Sequence, residues 1–146
     1  MSLLSPTDQQ RLRAAFAEMT KSVKLVFVTQ TVGCETCAQA RQILDELPPL
    51  SERITIEETN LVLEPDTAKQ FGIDRAPAVA LVGQDDGVDR DSRIRFFGTP
   101  SGYEFSSLIH AVMLVGGRPS GLTDAQRQRL SAVDRPIVMQ VFTTPT

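Results

Sequence analysis

Lys24-Leu-Val-Phe-Val-Thr-Gln-Thr-Val-Gly-Cys-Glu-Thr-Cys-Ala38 decides how this chain reads. The stretch predicts a short apolar strand, a turn through Gly33 and a helix that opens on Cys34. The only two cysteines of the 146 residues, Cys34 and Cys37, then share a first helical turn in a C-x-x-C spacing. Residues three apart on a helix share a face, so the two sulfurs can meet without moving the backbone. Unpaired N–H groups and the dipole at a helix start favour a thiolate on the first cysteine. This is an arrangement for dithiol chemistry, and it implies thiol–disulfide exchange.

Outward from that stretch, residues 6–21 predict an amphipathic helix. Ser5 or Thr7 caps it, Pro6 stands in its first turn, and Leu12, Ala15, Phe16 and Met19 recur on one side. Val23–Thr29 is too short and too β-branched for a helix, and its near-continuous apolar run predicts a strand covered on both faces. The cysteine helix carries Cys37, Ala40, Ile43, Leu44 and Leu47 on one side until Pro48-Pro49 end it. Alternation over residues 53–60 predicts a second strand, returning parallel to the first in a right-handed β-α-β unit. A short helix over 65–71, a proline-led strand over 73–82, a turn at Gln84-Asp-Asp-Gly87 and a strand over 93–97 follow, the last two strands forming a hairpin. A final helix opens at Ser101 or Gly102 with Phe105, Leu108, Ile109, Val112 and Met113 as its apolar stripe. The order is α-β-α-β-α-β-β-α.

Gly116-Gly-Arg-Pro-Ser-Gly121 reads as a linker. Beyond it, Leu122-Thr-Asp-Ala-Gln-Arg-Gln-Arg-Leu130 echoes Ser5-Pro-Thr-Asp-Gln-Gln-Arg-Leu12, and residues 136–146 echo residues 24–31. This reads as an internal repeat cut short, with a chance likeness of a natural C-terminal strand as the alternative. The domain reading is one unit over 5–115, a linker over 116–121 and the truncated start of a second unit over 122–146. The strand expected over 136–143 is strongly apolar, which predicts that it is ordered and packs on its own domain or on another copy.

A chain of this length holds one good core, or one domain and part of a second. Its hydrophobic content of 41% is ordinary for a globular protein, and a net charge of −3 argues against a nucleic-acid or anionic-membrane surface. No apolar run approaches the ~20 residues a membrane helix needs. The first residues lack a basic stretch followed by an apolar one, so no signal peptide is read and the cytoplasm is the expected compartment.

The strand–C-x-x-C–helix, followed by the proline-led strand at Arg75-Ala-Pro-Ala78, resembles the thioredoxin/glutaredoxin fold. Phe97-Gly-Thr-Pro-Ser-Gly-Tyr-Glu-Phe105, the long first helix and the trailing second unit narrow the resemblance to the glutaredoxin-like protein disulfide oxidoreductases. The N-terminal part of the flavoprotein component of alkyl hydroperoxide reductase is similarly built. The resemblance implies an α/β fold with a central four-stranded mixed sheet flanked by helices. It implies Cys34 as the exposed nucleophile, Cys37 as the resolving thiol, and Pro77 as a cis proline beside the disulfide. The Ala76-Pro77 backbone would bind the substrate strand. Glu35-Thr36 stands where thioredoxins carry Gly-Pro and many glutaredoxins Pro-Tyr, and the second unit has no C-x-x-C of its own.

The implied activity uses no bound cofactor, because the cysteine pair is itself the redox centre. Partners are protein disulfides and a separate reductase, with no nucleic acid and no membrane, and residues 122–146 offer a route to a homodimer. Two other classes stay open: a non-catalytic docking module for a reductase or peroxidase, and a dimer-forming assembly domain. Two cysteines and a single histidine, His110, do not close a four-ligand zinc site, so no metal is expected. Glu35 and Thr36 modulate the thiol; the Glu35 charge opposes thiolate formation. Glu57 and Glu58 must face opposite ways on their strand, and Tyr103 is expected to pack at the start of the last helix.

Overall fold

A computed structural model describes residues 2–144. The first strand, β1 (Ser22–Thr29), is central: Val23, Leu25 and Phe27 point to one face of the sheet and Val26 and Val28 to the other, all nearly inaccessible. Only a strand with neighbours on both edges and helices on both faces can bury such a run. On one edge it pairs in parallel with β2 (Ile54–Asn60), setting Leu25 beside Ile56. On the other it pairs antiparallel with β3 (Ala78–Asp85), setting Leu25 beside Leu81. β4 (Val88–Phe97) closes the far edge, and the order is β2-β1-β3-β4. The expected four-stranded mixed sheet is the one formed.

α1 (Pro6–Phe16), α2 (Cys37–Leu44) and α4 (Tyr103–Val115) cover one face, where Phe16, Phe27, Leu44, Leu47, Leu108 and Met113 make the main core. α3 (Pro65–Gln70) covers the other with Ala68, backed by Ile73. The Ser5 side chain accepts the Asp8 N–H and starts α1. This helix stops five residues short of the expected 6–21. The N–H groups of Thr20 and Lys21 donate instead to the Gly116 carbonyl, 3.0 Å each, tying the chain to the end of α4.

The β3–β4 hairpin turns through Asp86 and Gly87, both at positive φ (49° and 76°), the geometry that lets Asp-Gly join two strands without splaying them. β4 starts at Val88, not at the expected 93. Its charged run, Asp89-Arg-Asp-Ser-Arg93, is polar because this is an edge strand, and charges there discourage pairing with other chains. The register slips between Ala80 and Val82, Arg93 takes a φ of 65°, and the Ser92 hydroxyl donates to the Leu81 carbonyl within the bulge.

Beyond Gly116 every described residue is exposed. α5 (Asp124–Ser131) forms there, held by a reciprocal cap in which Gln126 N–H donates to Thr123 Oγ1 and Thr123 N–H to the Gln126 side chain. The strand expected over 136–143 does not form. Ile137 is 65% and Phe142 89% exposed, and neither edge of the sheet takes the segment as a neighbour. A strand exists only through hydrogen bonds to a partner strand, so its apolar pattern alone is not enough. Pro145 and Thr146, the end of the expected second unit, lie outside the described residues.

Candidate active site

β1 delivers the chain at Thr29 into an irregular turn, residues 30–36, that reverses through Gly33 at a φ of 79°. Gln30 Nε2 donates to the Val32 carbonyl inside this turn (3.0 Å). The helix does not open on Cys34 as expected. Thr36 is its N-cap, without a side-chain cap bond, and Cys37 its first residue. A C-x-x-C pair therefore straddles the helix start: Cys34 lies in the turn ahead of it and Cys37 within it. The first α2 hydrogen bond runs from Ala40 N–H to the Thr36 carbonyl (2.9 Å). The amides of Cys37, Ala38 and Gln39 precede it without helical acceptors, and the positive end of the helix dipole lies at Cys37.

Cys34 and Cys37 are joined in a disulfide with their Cα atoms 5.5 Å apart. The two sulfur-bearing residues differ in access: Cys37 is 5% exposed and Cys34 is half-buried. Glu35 and Thr36 between them are exposed.

Antiparallel pairing of Val28 with Ala78 brings the residue before β3, Pro77, to the same end of the sheet as the cysteine turn. The Ala76-Pro77 peptide bond is cis. Pro77 is buried, Ala76 is half-buried, and the Ala76 N–H and carbonyl find no hydrogen-bond partner among the described residues. The loop after β4 locks this corner: Gly98 N–H donates to the Pro77 carbonyl (2.9 Å) and Thr99 Oγ1 approaches the Thr36 carbonyl (3.5 Å). Gly98 and Thr99 together join both arms of the site, a role no local pattern in the sequence signals.

Glu57 and Glu58 do face opposite ways. Glu57 pairs with Lys24 (3.0 Å), a lysine held charged chiefly by its bond to Asp89. Glu58 binds Arg41 of α2, which also bonds Asp45 (2.7 Å). Glu58 thus reaches the cysteine helix through an arginine one turn beyond Cys37. Tyr103 does not pack as expected: it is 83% exposed, and Phe105 carries the apolar contact at the start of α4. His110 is exposed on α4. Val32 (83% exposed) and Phe97 (45%) add apolar surface at the cysteine end of the sheet.

Fold and paired cysteines together define a thioredoxin-fold domain equipped for thiol–disulfide exchange. Known proteins agree. No protein-family model matches the chain. It is 26% identical to the alkyl hydroperoxide reductase protein AhpF of Escherichia coli (strain K12) over 140 residues, 96% of this chain and 24% of that protein. The chain thus spans about a quarter of the length of that relative. The crystal structure of the NTD_N/C domain of alkylhydroperoxide reductase AhpF from Enterococcus faecalis superposes with a TM-score of 0.80 at 28% identity, covering 90% of this chain and 62% of that one. A protein disulfide oxidoreductase from Aeropyrum pernix shares the fold (TM-score 0.74, 24% identity, 88% of this chain and 54% of that one). Among the described residues no helix is long and apolar enough to cross a membrane.

Proposed function

We propose that this domain carries electrons from a separate reductase to disulfides of protein partners, in the cytoplasm, with Cys34 as the attacking thiol and Cys37 as the resolving one. The observation that carries the reading is the unequal access of the bonded pair. A partner's sulfur can reach half-buried Cys34 and cannot reach Cys37 at 5% exposure.

In the reduced domain the Cys34 thiolate attacks one sulfur of the partner disulfide, and the other partner sulfur leaves as a thiolate. A mixed disulfide joins Cys34 to the partner. The Cys37 sulfur then attacks Cys34, the second partner thiolate leaves, and the Cys34–Cys37 disulfide is restored. Two electrons and two protons have passed to the partner, and a reductase returns them by the reverse exchange. The amides at the start of α2 stabilise the thiolate and the exposed Glu35 carboxylate opposes it, with Thr36 setting the turn between the two sulfurs. The unpaired Ala76 backbone beside Pro77 offers the partner strand two hydrogen bonds.

Residues 122–146 are, in this reading, the opening of a second unit of the same fold. Ser5 and Thr123 both act as N-caps, and Leu12 and Leu130 follow seven residues later in each case. The exposed tail is also the surface through which two copies would associate.

Limiting iodoacetamide added to the dithiothreitol-reduced protein at neutral pH should alkylate Cys34 ahead of Cys37. A Cys37→Ser variant should hold its substrate as a mixed disulfide through Cys34. Equal labelling overturns the roles. Failure to reduce insulin with both thiols intact would favour a docking module.

A further inference from the structure

Arg75, immediately before the unpaired Ala76, carries a strongly exposed guanidinium, and two neighbours orient it. Asp74 occupies one edge of the fork, accepting from Nε (2.9 Å) and Nη2 (3.3 Å). The guanidinium carbon, Cζ, lies over the Phe97 ring, 5.6 Å from its centroid. A guanidinium has five N–H donors. Among the described residues, Nη1 and the outer N–H of Nη2 have no acceptor. That open edge matches a second carboxylate in bidentate geometry.

Arg95 provides the contrast. Its Cζ too lies over a phenylalanine ring, that of Phe71, at 5.4 Å, but its donors are spent on Asp91, the Ile94 carbonyl and the Phe71 carbonyl, and its side chain is only 15% exposed. Arg95 is built into the fold. Arg75, 70% exposed, holds its fork half-empty.

We propose that Arg75 selects partners whose exchanging cysteine is flanked by an aspartate or glutamate. An extended segment pairing with the Ala76 backbone runs past Arg75 and Phe97, because Phe97 lies beside Ala78 in the sheet. Its carboxylate meets the open edge of the fork while its cysteine meets Cys34. This rests on the exchange reading above and adds to it a charge preference.

The test uses the full chain, reduced with dithiothreitol and freed of it, and a set of disulfide-linked peptide dimers. One glutamate is moved through the three positions on either side of the cysteine, and glutamine and lysine peptides serve as references. The protein's dithiol reduces each peptide disulfide to two thiols and becomes the Cys34–Cys37 disulfide, so kcat/KM is followed by thiol release. At one or more positions glutamate should be favoured over glutamine by about three- to fivefold at low ionic strength, the range of an exposed ion pair, and less in high salt. Arg75→Gln should abolish the preference, Arg75→Lys should keep part of it, and Arg75→Glu should turn it toward lysine. Reduction of all peptides without charge preference overturns the proposal and leaves the exchange reading standing. A glutamate preference that survives Arg75→Gln also overturns it. Failure to reduce any peptide overturns both.

Discussion

Reducing the Cys34–Cys37 disulfide should destabilise the domain, and the size of the loss follows from the loop it closes. The bond spans a sequence separation of three, so it closes a four-residue loop. In the chain-entropy picture such a loop is worth about 2 kcal/mol, because the unfolded chain loses freedom when linked and the folded one, already holding the cysteines together, does not. The reduced form recovers part of this. A thiolate at a helix start gains roughly 0.3–1 kcal/mol, and the Glu35 carboxylate takes some of that back. The oxidised domain should therefore be the more stable by about 1–2 kcal/mol. By the thermodynamic cycle, this makes the folded couple about 20–40 mV more reducing than the same cysteines in an unfolded chain. Urea unfolding followed by far-ultraviolet circular dichroism, with and without tris(2-carboxyethyl)phosphine, measures the gap directly; the chain has no tryptophan and a single tyrosine, so fluorescence is a poor probe. Glu35→Gln should narrow the gap by a few tenths of a kcal/mol. A reduced form as stable as the oxidised one, or more so, would refute the reasoning and make the pair an oxidant.

Three other outcomes are expected. Gly117 sits at a φ of 108°, and a Cβ there would lie 2.1 Å from Thr20 Oγ1, so Gly117→Ala should cost about 1–3 kcal/mol in urea unfolding; an unchanged midpoint would mean the α4 exit is looser than it looks. The bond from Arg95 holds the Asp91 carboxyl below its ordinary value of 3.8, so its contribution is present above about pH 4 and is lost as pH falls through the lowered value. Because that side chain is 36% exposed, Asp91→Asn should cost under about 1 kcal/mol at pH 7 and make the acid limb of a stability–pH curve shallower; an identical limb would exclude the pair from acid unfolding. Ending the chain at Arg118 should leave the urea midpoint and insulin reduction of the remaining domain unchanged, since no described residue beyond Gly116 is buried; a lower midpoint would show that the tail packs.

The sheet was legible because its central strand is coded twice, by β-branched residues and by an apolar run with no polar face. Asp86-Gly87 announced the hairpin in the same local way. The start of β4 was not legible, since its charges are chosen for the edge it occupies and read as a loop. The end of α1 was hidden for another reason: Thr20 and Lys21, in its last expected turn, give their N–H groups to Gly116, far along the chain. At the site, the cysteine spacing and the proline-led strand could be read from order alone. The three-residue offset of the helix start could not, because Thr36 carries out its capping role without a side-chain bond that the residue type would advertise. Thr99 and the Arg41–Glu58 pair join segments far apart in the chain, so only the fold brings them into view.

The tail separates what local sequence can do alone from what it cannot. Leu4-Ser5 and Leu122-Thr123 begin helices in the same way, each hydroxyl accepting the N–H three residues on. Capping needs only neighbours in sequence, so both helices form. Their apolar residues then diverge: Leu4 and Leu12 pack against the core, whereas Leu122 and Leu130 are 39% and 58% exposed. An eight-residue helix lies below the roughly 12–15 residues at which isolated helices become stable in water, so α5 lacks the tertiary support that α1 receives from Phe16 and the sheet. The following segment differs more sharply still. Val141-Phe142-Thr143-Thr144 nearly repeats Val26-Phe27-Val28-Thr29, yet β1 is a strand only because β2 and β3 flank it. Near-identical residues without flanking strands form no strand and stay bare. The same four-residue pattern is therefore a buried centre in one place and an open surface in the other, and what distinguishes them is the hydrogen-bonding company each one keeps.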